Sequence, residues 1–268
     1  MNLIMAPFNG LYFICWGITI ALIVAIGLIF KDKSEKAKTV FIVSFCLFTA
    51  VLFFIYKGFL SVDKDFLNKT VPKLTKFNWF NELPLQLCNI NMFLIPIGVL
   101  TKKRGIMGFS FFLAPLGAGM ALFFPEAAFV GEPLLLPRML GYYVTHYFIV
   151  ISGISLATLG FFKPEFKDFP KVFLTLISLS FFIHCINLIL RATGLCTYAN
   201  YFFTMDDAGI SILALFHKFI KVPYLYMLPS LLILAVYMAI ISLVFFIIGK
   251  FKSHTNEKTE DEKELVNV

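Results

Sequence analysis

The sequence predicts an all-α fold, a polytopic bundle of about seven transmembrane helices, and two observations carry that expectation. The first is composition. Of 268 residues, 59% are hydrophobic, 34 are Phe and only 15% are charged, more apolar surface than one water-facing domain can hide. The second is pattern, because the apolar residues gather into runs that reach the roughly 20 residues a helix needs to cross a bilayer.

The runs are Leu11 to Phe30, Thr39 to Leu60, Glu82 to Leu100, Gly105 to Phe124, Arg138 to Phe162, Pro170 to Thr193 and Val222 to Gly249. The first is long for a cleaved leader and has no basic residues ahead of it, so it reads as a true span. In the third, Pro84 sits where proline commonly opens a helix. The fourth carries Gly108, Pro115, Gly117 and Gly119, which marks it as the span to be kinked or broken. Residues 1–252 are read as one integral membrane domain, and 253–268, polar and charged, as a disordered cytoplasmic tail.

Placing the Lys and Arg on alternate sides of these spans puts fourteen beside the carboxyl tail and nine opposite. That bias predicts a multi-pass protein of the cell membrane with its amino terminus outside and its carboxyl terminus in the cytoplasm. The net charge of +7 suits anionic headgroups, and no basic domain stands apart to bind nucleic acid. Five cysteines, an odd number without metal-type spacing, call for neither a disulfide framework nor a metal, and no cofactor motif is present.

The informative residues are the polar ones inside the spans, which normally face a bundle interior or a water-filled cavity. Cys88 lies six residues below Glu82, His146 eight past Arg138 and His184 seven below Arg191, depths of about 9, 12 and 10 Å at the helical rise. All three share one level of the outer leaflet. On the sixth span Ser180, His184, Asn187 and Arg191 fall on one helical face, either lining a site or clasping a neighbour.

Cys88 is expected in an early helical turn, where the positive end of the helix dipole favours a thiolate, with His146 as the base that takes its proton. Gln86, Asn89 and Asn91 flank the sulfur as possible oxyanion donors, and Tyr142 and Tyr143 sit one turn from His146, placed either to fix its tautomer or to form an interfacial aromatic belt. Cys15, Cys46 and Cys185 read as small core residues and Cys196 as a loop residue. Arg138, Arg191, Lys218 and Lys221 lie at headgroup level, where basic residues bind phosphate or anchor the chain. Two loops, Ser61 to Asn81 and Gly194 to Lys221, lie on the same side, and Ile210 to Ile220 with His217 has the pattern of a helix lying along the membrane surface.

The string Leu83-Pro84-Leu85-Gln86-Leu87-Cys88-Asn89 resembles the LPLxLC signature of the YwaF-like integral membrane proteins of bacteria. The segment Tyr143-Val144-Thr145-His146-Tyr147 resembles that family's span-five histidine, and Asn187 followed by Asn200-Tyr201-Phe202 resembles its Asn and Asn-Tyr loop pattern. The likeness runs from the second span to the seventh. Bacterial members often have His where this chain has Gln86. The family also includes an animal transmembrane acyltransferase, so the resemblance implies a cysteine-histidine enzyme acting on fatty acyl groups of membrane lipids, with Cys88 as nucleophile and His146 as base. The expected reaction moves an acyl group between phospholipids and lysophospholipids through an acyl-thioester. The alternatives are a lipid ester hydrolase with the same dyad, a transporter whose path is lined by the buried polar residues, and a non-enzymatic assembly protein.

Overall fold

Asn9 starts the first helix by accepting the Tyr12 N–H on its side chain at 2.9 Å, and Ser34 starts the second by capping Ala37 at 3.2 Å; both satisfy amides that a helix cannot pair internally. The structure is a computed structural model that describes residues 3–69 and 76–266, with side chains to Phe251 apart from that of Ala127. Its helices are α1 (Gly10–Phe30), α2 (Glu35–Leu60), α3 (Lys64–Lys69), α4 (Asn91–Thr101), α5 (Arg104–Phe123), α6 (Pro137–Thr158), α7 (Phe169–Ala192), α8 (Ser211–Phe219) and α9 (Ser230–Val266). The strands β1 (Ile4–Met5) and β2 (Glu132–Pro133) form one antiparallel pair. This is an all-α polytopic membrane bundle. Six helices among the described residues, α1, α2, α5, α6, α7 and α9, are long and apolar enough to cross a bilayer.

The third span departs from the expected helix. Only Asn91–Thr101 is helical, 11 residues rising about 16 Å, too short to cross alone. Ion pairs nevertheless tie its two ends to the two ends of α2: Glu82 binds Lys57, and Lys102 binds Glu35 at 2.8 Å. Lys57 and Glu35 are 22 residues apart on one helix, about 33 Å, so the segment from Glu82 to Lys102 traverses the bundle as a non-helical half followed by α4. Non-helical backbone at membrane depth persists only where protein satisfies its polar groups, and here it does. The Leu83 N–H donates to the Tyr201 hydroxyl at 2.9 Å, the Asn91 side-chain amide donates to Leu87 O at 2.7 Å, and Gln86 Oε1 accepts the Phe202 N–H at 3.2 Å. Cys88 therefore lies in the turn that precedes α4, not in an early helical turn.

The fourth span corrects the opposite expectation. Despite Pro115 and its glycines, α5 is one continuous helix. α6, the most buried of the long helices, packs into α5 at Gly153, where an added Cβ would lie 2.7 Å from Pro115 Cδ, and into α2 at Gly141, where it would lie 2.2 Å from Tyr56 Cβ. Missing side chains let three backbones close on one another around α6.

The segments at one end of the bundle cohere. Arg138, only 4% exposed, binds Asp63 through both carboxylate oxygens at 2.9 and 3.1 Å and reaches Glu132 at 3.3 Å. Asn78 donates to Leu195 O at 2.9 Å. At the opposite end Arg104 joins Asp168 and Glu165. Residues 70–75 of the loop expected to cover the site lie outside the described residues. α9 runs to Val266 through the segment read as a disordered tail, whose side chains likewise lie outside the described ones.

Candidate functional site

Cys88 and His146 meet. The sulfur lies 3.7 Å from His146 Nε2, with Cys88 9% and His146 5% exposed. His146 Nδ1 is 2.7 Å from the Tyr142 carbonyl oxygen. A carbonyl only accepts, so Nδ1 carries the proton and Nε2 presents its lone pair to the thiol, the tautomer a general base requires. It is thus the backbone of Tyr142, not a tyrosine hydroxyl, that sets the tautomer. The Tyr142 ring adds orientation: it stacks on Phe129 at 4.1 Å, meets the imidazole at 4.3 Å and anchors its hydroxyl on Ala121 O at 2.7 Å.

Three elements hold the cysteine. Gly117 of α5 brings its backbone against the Cys88 backbone, α6 supplies His146, and Asn89 Oδ1 is a second neighbour of the sulfur at 3.5 Å. The backbone N–H groups of Cys88 and Asn89 donate to no backbone carbonyl among the described residues.

The other sequence candidates divide. Asn91 commits one of its two amide N–H groups to Leu87 O, and its Oδ1 is a buried acceptor without a partner among the described residues. Gln86 is half-buried and uses its carbonyl for Phe202. Tyr143 donates to Phe129 O at 3.0 Å, on the face of α6 turned towards α1.

The polar stripe of α7 serves a loop. Asn187, fully buried, donates to Tyr201 O and Thr204 Oγ1 at 2.8 and 2.9 Å and accepts the Tyr201 N–H at 3.0 Å. Arg191 donates to Ala199 O at 2.8 Å and pairs with Asp206 at 3.1 Å. These bonds fix a turn in which Phe202 and Phe203 adopt positive φ, a conformation non-glycine residues hold only under tertiary constraint. The turn in turn supplies the Leu83 and Gln86 contacts that satisfy the cysteine segment. His184 packs against Tyr224 at 5.3 Å, and no hydrogen bond among the described residues joins it to the dyad. Arg138 and Arg191 are both engaged by carboxylates, whereas Lys218 and Lys221 at the end of α8 are exposed. His217 binds Asp207 at 2.7 Å, and that hydrogen bond is the first cause holding the Asp207 carboxyl below its ordinary range.

One group escaped sequence reasoning. Lys57 counts in the sequence as a residue bordering a span, yet it is buried inside α2, bound to Glu82 and lying over the rings of Tyr56 and Phe53 at 4.8 and 5.3 Å. Its bond to Glu82 pins the head of the cysteine-bearing segment to α2. The available signal was a lysine three residues inside the end of an apolar run. Among the described residues no group of three or more His, Cys, Asp or Glu side chains is placed to hold a metal ion.

The family comparison covers the dyad and every long helix through most of its length, because the matching family model extends over residues 6–252. The chain belongs to the TMEM164 family. No curated protein and no solved structure matches it. The YwaF-like name expected from the motifs is not the one this match carries; what stands is membership of a membrane protein family. Every residue named above as contacting Cys88 or His146 lies within the region shared with the TMEM164 family.

Proposed function

We propose that this TMEM164 family protein is a membrane-embedded cysteine-histidine enzyme that transfers fatty acyl groups between phospholipids and lysophospholipids. The observation that carries the reading is the buried Cys88 Sγ to His146 Nε2 approach at 3.7 Å, with Nδ1 held on a carbonyl. A thiol opposite the unprotonated nitrogen of an oriented imidazole is the arrangement nucleophilic catalysis needs. The separation is longer than a tight hydrogen bond, as is common before substrate closes a site.

In the first half-reaction Nε2 takes the thiol proton, Sγ bonds to the ester carbonyl carbon, and the carbonyl electrons move to oxygen. In this reading that oxyanion is held by the N–H groups of Cys88 and Asn89, which donate to no backbone carbonyl among the described residues. The carbon–oxygen bond then breaks, the imidazolium proton passes to the departing lysolipid oxygen, and an acyl-thioester remains on Cys88. In the second half-reaction a lysolipid hydroxyl gives its proton to Nε2 and attacks the thioester, and the thiolate leaves and is reprotonated. The burial of both residues favours a lysolipid acceptor over water, whose entry would make the same dyad a hydrolase. In this reading the dyad faces the outer leaflet of the cell membrane, the amino terminus is outside, and Lys218 and Lys221 meet phosphate headgroups at the rim.

The test is acyl exchange by purified protein in vesicles containing a labelled diacyl phospholipid and an unlabelled lysophospholipid. Exchange abolished in Cys88→Ala supports the reading. Full exchange in that variant removes the covalent mechanism.

A further inference from the structure

Three buried donors without partners meet on the side of α6 away from the dyad. Tyr12 Oη, Trp16 Nε1 and Tyr147 Oη are each shielded from solvent and have no hydrogen-bond partner among the described residues. Tyr12 is 1% and Tyr147 7% exposed. Their rings form one assembly: Trp16 meets Tyr147 edge-on at 5.4 Å, Tyr12 lies 6.3 Å from Trp16, and Phe123 stacks on Trp16 at 5.5 Å. All three donors thus sit in one ring assembly, and none closes a hydrogen bond with another.

Leaving such groups unpaired is destabilising, and bilayer hydrocarbon supplies no water to relieve them. The cluster is rich in donors: Trp16 can only donate, and neither hydroxyl is bonded to an acceptor among the described residues. Among the described residues no cation lies over these rings, so a carboxylate or phosphate would enter uncompensated. The matching group is a neutral oxygen acceptor. Trp16 lies six residues into α1, about 9 Å from its start, near the level at which a lipid's ester groups meet its chains. α1 has only Tyr12, Thr19 and Ile23 buried, and Trp16 itself is half-exposed, so the seam between α1 and α6 can open to lipid by rotation of that side chain.

We infer that Tyr12, Trp16 and Tyr147 form a second lipid site, separate from the Cys88–His146 dyad, that holds the ester carbonyl of a glycerolipid in the α1–α6 seam. The site does not depend on acyl transfer, since it rests on different residues on another face of α6.

The test uses the full-length Cys88→Ala protein, so that no ester is consumed. After delipidation in detergent it is offered diacyl phosphatidylcholine or the dialkyl ether counterpart, which lacks carbonyls. Retained lipid is counted by native mass spectrometry and the unfolding temperature measured with each. The inference expects the diacyl lipid to be retained at least fivefold over the diether and to raise the unfolding temperature. Trp16→Phe and Tyr147→Phe, which keep an aromatic ring and remove the donor, each erase both effects. Equal retention of the two lipids, with the Phe variants unfolding at lower temperature, assigns the oxygen to a bound water and overturns the inference. Equal retention with the Phe variants unfolding at higher temperature means the donors are simply unpaired, and also overturns it.

Discussion

His146→Ala separates a catalytic imidazole from a packing one. The substitution removes the basic side chain facing Cys88 and leaves Asn89 Oδ1 at 3.5 Å, an acceptor too weakly basic to take a thiol proton. General base catalysis contributes typically 10²–10⁴-fold, about 3–5 kcal/mol of barrier at 1.36 kcal/mol per decade. Two features place this site in the middle of that range, near a thousandfold. The imidazole is already held in its reactive tautomer by Tyr142 O at 2.7 Å and by the adjoining ring, and its burial keeps water from replacing it. The assay is single-turnover formation of the Cys88 acyl-thioester from a diacyl phospholipid, followed by intact-protein mass. An unchanged unfolding temperature shows that the variant is folded. A rate reduced less than about tenfold in a folded variant, where the base is expected to contribute at least 10², would refute the assignment of His146 as base.

Three further outcomes follow from the packing around the site. Gly141→Ala places a Cβ 2.2 Å from Tyr56 Cβ, an atom that cannot swing aside, so thermal or denaturant unfolding is expected to show a loss of about 1–3 kcal/mol, with acyl exchange falling as Lys57 shifts beside it. Asn187→Ala unpairs the buried Tyr201 N–H at about 1–3 kcal/mol and leaves the Tyr201 carbonyl only the longer contacts from Thr204 at 3.4 Å; maleimide alkylation of the buried Cys196 on the same loop should accelerate, and an unchanged rate contradicts the clasp. The Asp207 carboxyl is held low, first by His217 and then by the Gly209 amide. Its stabilising contribution is therefore complete above the ordinary carboxylate pKa of about 3.9 and fades as pH falls through the lower folded value. A spin label introduced by Ser211→Cys should stay immobile at neutral pH and loosen only in strong acid, and Asp207→Asn should abolish that acid step.

Much of the fold was legible because membrane spans are written in length and composition, which decided α1, α2, α5, α6, α7 and α9. The third span was misread for a physical reason. Leu83, Leu85, Leu87 and Ile90 look like any apolar helix, and the bonds that hold them non-helical come from Tyr201 and Phe202, more than a hundred residues away. The glycines of the fourth span were taken as breaks because sequence cannot distinguish a glycine that bends a helix from one that admits a neighbour, as Gly117 admits the Cys88 backbone. Depth arithmetic placed Cys88 and His146 at one level, where the structure brings them together. The same arithmetic set His184 beside them, but depth carries no information about azimuth, and His184 faces Tyr224 instead. Lys57 was hidden by a convention: a lysine near the end of an apolar run is counted with the loop, and only tertiary contact shows it turned inward onto Glu82.

The account centres on a covalent acyl-enzyme at Cys88, and the most direct measurement is the mass of the intact protein after incubation with a diacyl phospholipid. The account predicts an added acyl mass that hydroxylamine removes, that maps to the peptide containing Cys88, and that is absent from Cys88→Ala while persisting when Cys15, Cys46, Cys185 and Cys196 are each replaced. Acyl exchange proceeding without any adduct on Cys88, or with full activity in Cys88→Ala, would contradict it.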